Sequence, residues 1–331
     1  MFGRWGDGDT GEELVVGRVD DETVEIQCHG GRSATAAIVA SLVKHGVDEI
    51  SADEFAHDAA SDRIVAEAQL ALATARTERT AEHLLAQHQG ALRRTVEEIA
   101  ASLREQKLDQ ARIQLDALLK WASFGLHLTQ PWRVVLAGEP NVGKSSLMNA
   151  LVGYSRSIVF AEPGTTRDVV SALTAFGGWP VELLDTAGLR DTSDTLESAG
   201  VQLAEEQLAA ADVVLLVADA SAMWPKEYDA LLARLPHVMV VMNKMDLVAQ
   251  ESLPSQHCFV SATTGEGIET LAERIAQSLV PVEPLLGTAI PFMERQVQLL
   301  QATQRAIQSN DLSQATRQVE ALWRKEETIH P

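Results

Sequence analysis

Gly138-Glu139-Pro140-Asn141-Val142-Gly143-Lys144-Ser145 has the form G-x-x-x-x-G-K-S, and its reading as a phosphate-binding loop decides the fold. Val134-Val135-Leu136-Ala137 ahead of it is a short apolar run, as a buried strand requires. Ser146-Leu147-Met148-Asn149-Ala150-Leu151 behind it opens a helix. Between strand and helix the motif has a mechanism. Glycines let backbone N–H groups turn inward and the helix N-terminus adds positive potential, so the loop cradles phosphate oxygens. In this reading Lys144 reaches the β- and γ-phosphates and the Ser145 hydroxyl ligates Mg²⁺, with Val142, Gly143 and Ser146 also at the nucleotide.

Working outward, strands and helices alternate from Trp132 to Leu279. Apolar strands are expected at 134–137, 171–176, 181–184, 213–218, 238–242 and 257–261, with helices near 198–210, 226–235 and from Ile268. Continuous apolar strands alternating with helices predict a doubly wound, mostly parallel α/β domain over 131–280. From Ser51 to Gln130 there is no proline, and apolar residues such as Ile64, Leu72, Leu84, Leu85, Leu92, Val96, Ile99, Leu103, Ile113 and Leu115 recur at helical spacing. Ser51-x-x-Glu54 reads as a capping box. After Pro281, Pro284 and Pro291 the chain is helical again over 293–323, with Val297, Leu300, Ala306, Leu312, Ala315, Val319 and Leu322 as its core stripe. The α/β domain is therefore expected as an insertion between two parts of one helical domain, 51–130 and 281–331. Residues 1–50 form a small α/β piece: a loose lead-in over 1–11, strands at 14–19 and 24–28, and a helix 34–44 capped by Ser33.

Composition narrows the function. The chain has 331 residues, 46% of them apolar, and 27 basic against 47 acidic residues give a net charge of −20. Such a balance argues against a broad, sequence-independent grip on nucleic acid, although a local basic patch on a subdomain is compatible with it. The two cysteines, Cys28 and Cys258, are far apart and give neither a zinc pair nor a disulfide framework. Adjacent Cys28-His29, without partners, reads as a turn. The apolar runs are too short to span a bilayer, and the opening residues do not read as a signal peptide, so the expectation is a cytoplasmic protein.

Four further motifs follow the loop in order. Gly164-Thr165-Thr166-Arg167-Asp168 lies between helix and strand, where a threonine can ligate Mg²⁺ and sense the γ-phosphate. Asp185-Thr186-Ala187-Gly188 ends an apolar strand; Asp185 would hold the metal's water shell and the Gly188 N–H would meet the γ-phosphate. Asn243-Lys244-Met245-Asp246 follows a strand, and its Asp246 carboxylate can accept two N–H bonds from a guanine edge, which adenine cannot supply. Ser261-Ala262 would contact the guanine oxygen through backbone. The motifs occur in order, each at an expected element boundary, and together they specify GTP.

These residues resemble the MnmE/TrmE family of tRNA-modification GTPases, members of the TRAFAC class with an Era-like G domain. GTTRD, DTAGLR, NKMD and the helical wrapping carry the likeness, and Val24-Glu25-Ile26-Gln27-Cys28-His29-Gly30-Gly31 is similar to the family's N-terminal VEIHCHGG segment. Ala75-Arg76-Thr77-Glu78 echoes a later stretch. The likeness is strong over 132–279 and thin outside it, as in a shortened or divergent member.

The resemblance implies K⁺-stimulated hydrolysis of GTP to GDP and phosphate, in a homodimer whose G domains pair face to face. Asn141 and Thr165 match the K⁺-coordinating positions, Thr166 the Mg²⁺ threonine, and Glu197 the carboxylate that positions the attacking water. With Lys144, Asn141 and Glu197 are the expected catalytic residues. It also implies a role in wobble-uridine modification with an MnmG-like partner protein and contact with tRNA. The chain departs from the pattern in three places: Phe160-Ala161-Glu162-Pro163 is unusual in the switch stretch, the family's C-terminal C-x-G-K segment is absent, and the shortened N-terminal piece leaves folate binding doubtful. Two other readings stand beside this one. One is a GTP-dependent interaction switch that modifies nothing. The other is an Era-type ribosome-assembly GTPase, which would carry a basic RNA-binding domain where this chain has one short helical piece of mixed charge.

Overall fold

The computed structural model describes residues 2–5, 11–29, 31–154, 171–185, 206–235, 237–248 and 257–325. They fall into two compact units, Met1–Asp58 and Ala59–Pro331.

The first unit is a three-stranded antiparallel sheet, β1 (Phe2–Trp5), β2 (Glu12–Arg18) and β3 (Val24–Cys28), followed by helix α1 (Arg32–Lys44). Strand β1 corrects the expectation of a loose lead-in. Phe2-Gly3-Arg4-Trp5 is too short and glycine-rich to announce a strand, and it is ordered by pairing Phe2 with Val15 and Trp5 with Glu12. Asp20 closes the β2–β3 turn by accepting the N–H groups of Glu22 and Thr23. Ser33 is not the cap of α1; that position falls to Gly31, whose backbone needs no side chain there. The Ser51/Glu54 capping box does form, with Glu54 accepting the Ser51 N–H at 2.7 Å and Ser51 Oγ accepting the Glu54 N–H at 3.1 Å. It opens α2 (Ala52–Ala59).

In the second unit the helices α3 (Arg63–Ala73), α4 (Glu78–His88), α5 (Ala91–Arg104), α6 (Leu108–Leu119) and α7 (Ala122–Leu126) precede the α/β domain. Two helices follow it. The expected single piece 293–323 is broken into α11 (Glu294–Gln308) and α12 (Leu312–Glu320) at Asn310, whose φ of 59° ends the first helix. Helix α12 packs on α5, and α11 on α6. Ile64, Leu92, Ile99, Leu103, Leu115, Leu300, Val319 and Leu322 are buried in their common core. Leu85 and Ile113, expected in the stripe, stand exposed on the outer faces of α4 and α6. A buried polar knot ties the halves: Glu67 accepts Arg295 Nε at 2.8 Å, Arg295 Nη2 at 3.0 Å and Gln296 Nε2 at 2.7 Å.

The inserted domain has a six-stranded sheet in the order β5-β6-β4-β7-β8-β9. Its members are β4 (Trp132–Ala137), β5 (Ser171–Phe176), β6 (Trp179–Asp185), β7 (Val213–Asp219), β8 (Val238–Asn243) and β9 (Cys258–Phe259). All pairs are parallel except the β5–β6 hairpin at one edge. Helices α8 (Lys144–Tyr154), α9 (Lys226–Arg234) and α10 (Ile268–Leu279) complete the described part. The last strand is shorter than expected: Val260 N–H still bonds Met242 O on β8, but the next N–H, that of Ser261, turns to Glu266 O and leaves the ladder. The helix expected at 198–210 lies largely outside the described residues.

Candidate nucleotide site

The loops after β4, β8 and β9 lie at the carboxyl ends of the parallel strands, as does Asp185, the last residue of β6, and open α/β sheets bind ligands at that edge. The loop 138–143 leaves strand β4, buried but for the partly exposed Arg133, and winds into α8. Its shape needs positive φ at three places: Gly138 at 149°, Asn141 at 67° and Gly143 at 92°. Two of these have no room for a side chain. A Cβ on Gly138 would lie 2.3 Å from the Val217 carbonyl oxygen, and one on Gly143 would lie 2.4 Å from Asn243 Nδ2.

Lys144 is buried, and its ammonium donates to the carbonyls of Gly138 at 3.0 Å and Glu139 at 2.9 Å, folded over the loop it belongs to. Ser145 and Ser146 are exposed in the first turn of α8. The Ser145 hydroxyl donates to Asp185 Oδ2 at 2.9 Å, so two expected Mg²⁺ ligands from different loops meet directly. These are oxygen donors, one anionic and one neutral, the set that suits a hard cation.

Asn243 is the hub between the phosphate loop and the loops expected at the base. It is 2% exposed; its Nδ2 donates to the Val142 carbonyl at 2.9 Å and its Oδ1 accepts the Ala262 N–H at 3.0 Å. One amide thus fixes the phosphate loop to the β9 loop. Lys244, with φ of 63°, donates to Asp219 Oδ2 at 2.7 Å. Burial works to raise the Asp219 carboxyl, but bonds from Lys244 and Ser221 outweigh it and hold it below the usual carboxylate range. Asp246 stands exposed on the short 3₁₀ turn Met245–Leu247. Buried Ser261 organises its loop, its Oγ accepting the Thr264 N–H at 3.1 Å and its carbonyl the Gly265 N–H at 2.8 Å.

Asn141, Val142, Gly143, Lys144, Ser145 and Ser146 therefore lie along one turn, with Asp185, Asn243 and Ala262 bonded to it directly or through one residue. Thr165, Thr166, Gly188 and Glu197 lie outside the described residues. Two functional neighbours escaped the sequence reading. Asp219 is a strand-end carboxylate on the same edge of the sheet, a position from which its link to Lys244 was discoverable. Tyr228, which bonds the loop from α9, lies in no motif.

Comparison with known proteins places this arrangement. Residues 133–244 match the family model described as 50S ribosome-binding GTPase. The tRNA modification GTPase MnmE of Synechococcus sp. (strain JA-3-3Ab) is 33% identical over 323 residues, covering 87% of this chain and 70% of that protein. The protein of the same name from Parasynechococcus marenigrum (strain WH8102) is 37% identical over 293 residues, covering 78% of this chain and 64% of that one. Among solved structures, the G domain of the T. maritima FeoB iron transporter is 31% identical over 45% of this chain and 99% of its own, with a TM-score of 0.33.

Proposed function

The chain belongs to the MnmE family of tRNA modification GTPases, and from that membership and the site's geometry we propose that it binds GTP across these loops and hydrolyses it to GDP and phosphate. The observation that carries the reading is the Asn243 amide, which joins the phosphate loop at Val142 to the loop after β9 at Ala262. A nucleotide lying along that edge meets Lys144 and the loop N–H groups with its phosphates, and Asp246 with its base. The Asp246 carboxylate accepts the paired N–H donors of guanine, which selects GTP over ATP.

Ser145 and Asp185, already 2.9 Å apart, would hold Mg²⁺ together with Thr166. When bound, this ion supplies charge neutralisation at the β- and γ-phosphate oxygens. The protein's own work is positioning. The loop fixes the γ-phosphate, Gly188 N–H meets it, and Glu197 orients the water for in-line attack. Asn141, exposed at the turn of the loop, offers a side-chain oxygen of the kind that suits K⁺, with Thr165 as its companion; this supports K⁺ stimulation in place of an arginine finger. In the full reading the working parts are 1–50, 51–130, 131–280 and 281–331. The G domains pair, and the cytoplasmic dimer acts with an MnmG-like partner on the wobble uridine of tRNA. Among the described residues no helix is long and apolar enough to cross a membrane.

GTP hydrolysis measured in KCl and in NaCl tests this. Faster turnover in KCl is expected, with loss of that advantage in Asn141→Ala and loss of turnover in Glu197→Ala. Equal rates in both salts would remove K⁺ from the site, and undiminished turnover in Glu197→Ala would remove that residue from the mechanism. For the downstream role, the tagged protein should retain tRNA and a modification partner on affinity purification.

A further inference from the structure

Tyr228 stands in the first turn of α9 and is 2% exposed. Its hydroxyl accepts the Glu139 N–H at 2.7 Å and donates to the Val217 carbonyl on β7 at 2.9 Å. The phosphate loop passes so close here that the same Val217 oxygen excludes any side chain at Gly138. From the other direction Lys144 takes the carbonyl of the same residue, Glu139. The N–H of Glu139 is thus held by a phenol and its C=O by an ammonium.

The two grips differ in what else they must do. Lys144 is the side chain that turns to phosphate when a nucleotide enters, and its bonds to the loop are then in competition. Both bonds of the Tyr228 hydroxyl go to backbone, and its ring is fixed in the apolar cluster with Ala137 and Leu216. Trp224 packs edge-to-face on its ring at 5.2 Å and is itself held by a bond from its Nε1 to Asp229 at 2.9 Å. Burial pushes the phenol up from its usual value, against the Glu139 N–H bond, so the hydroxyl stays protonated and can donate to Val217 throughout the neutral range.

We propose that Tyr228 is a positioning residue of the phosphate loop: its hydroxyl ties the Glu139 N–H to β7, so the loop keeps its cradle shape while Lys144 exchanges carbonyls for phosphate. The inference rests on the reading of 138–145 as the GTP phosphate site. Without the hydroxyl, the Glu139 N–H and the buried Val217 carbonyl both lose a partner. The empty loop then relaxes towards water, and a nucleotide must draw it back before it can bind. Affinity falls, whereas turnover of the bound complex, in which the cradle is restored, does not.

The test compares parent, Tyr228→Phe and Trp224→Phe by titration with fluorescent GDP, by steady-state GTP hydrolysis and by thermal melting without nucleotide. Tyr228→Phe keeps the ring and should raise the GDP Kd and the GTP KM about tenfold while kcat stays within about twofold. Trp224→Phe, which changes the same packing without touching the loop, should leave the Kd unchanged. Amide exchange on the parent gives a readout that needs no variant, since the Glu139 N–H should be protected like a buried bond. A Tyr228→Phe Kd within twofold of the parent would overturn the proposal, as would an equal loss in Trp224→Phe, a fall in kcat matching that in affinity, or unprotected exchange at Glu139. If the parent itself fails to bind GDP, the GTP reading fails and this inference falls with it.

Discussion

Strand β6 has two ends, and they are built on different physics. At its carboxyl end buried Asp185 meets the Ser145 hydroxyl, with chemistry as the expected purpose. At its amino end the β5–β6 turn, Gly177-Gly178, runs into Trp179, and here everything is packing and pairing with the helical domain. Arg79 of α4 donates to the Gly177 carbonyl at 2.6 Å, forks onto Glu283 and lies 4.8 Å over the Trp179 ring. His83, fully buried, bonds Glu283 at 3.1 Å and stacks on Trp179, and Phe124 meets both rings edge-on. The same strand thus carries the proposed metal-ligand residue at one end and the joint to the helical domain at the other. Changes at the first end should alter rate without stability; changes at the second should alter stability without basal rate.

The strongest way to break this division is Trp179→Ala. It should cost about 3–5 kcal/mol of stability, because a nearly fully buried indole leaves a cavity beneath Arg79 and His83; chemical denaturation followed by circular dichroism reads it. Asp185→Asn should do the reverse. Hydrolysis is expected to fall on the order of a hundredfold, about 2.7 kcal/mol of activation energy, with the melting temperature little changed, as phosphate-release kinetics and melting curves would report. Arg79→Ala should come third, at about 1–2 kcal/mol, since the Arg79–Glu283 pair is partly exposed and the cation–π contact goes with it. A double-mutant cycle with Glu283→Gln sharpens the point: a coupling energy near zero would show that the pair is not what holds the joint. The smallest effect is in pH. Burial works to raise Glu283, but Arg79 and His83 outweigh it and hold the carboxyl below its usual value of 4.5. A lowered folded-state value means that Glu283 stabilises the fold above the usual value and stops doing so as the pH falls through the lowered one. The parent should therefore lose stability on acidification below about 4.5 more steeply than Glu283→Gln; parallel melting curves from pH 6 to 3 would refute this.

Much of the carboxyl-end site was legible because its residues are declared by local grammar. Gly143-Lys144-Ser145, Asp185 and Asn243-Lys244-Met245-Asp246 sit at strand ends, and strand ends are visible as apolar runs. What local grammar does not contain is who touches whom. Asn243 was legible as part of a base-recognition motif, but its bond to Val142 was not, nor was the Tyr228 hydroxyl beneath the loop. The joint was less legible still. His83 and Glu283 are 200 residues apart, neither lies in a motif, and only the folded chain pairs them. The same limit explains Phe2–Trp5, a strand made by its partner rather than by its own residues, and Ile113, whose place in an apolar rhythm did not tell which face of α6 turned outward.

The Glu67–Arg295 knot has a consequence in time. Its partners are 228 residues apart, and the whole α/β domain is made between them. At ordinary rates of synthesis this separates their appearance by on the order of ten to fifty seconds. During that interval α3 to α6 stand without α11 and α12, and the Glu67 carboxylate has Arg63 of its own helix, 3.3 Å away, but not yet Arg295. The G domain can finish folding well before the helical domain it is inserted in. The nascent chain is therefore expected to acquire a nucleotide-binding head first and to complete its helical domain only when residues near 322, whose carbonyls Arg295 also binds, clear the ribosome.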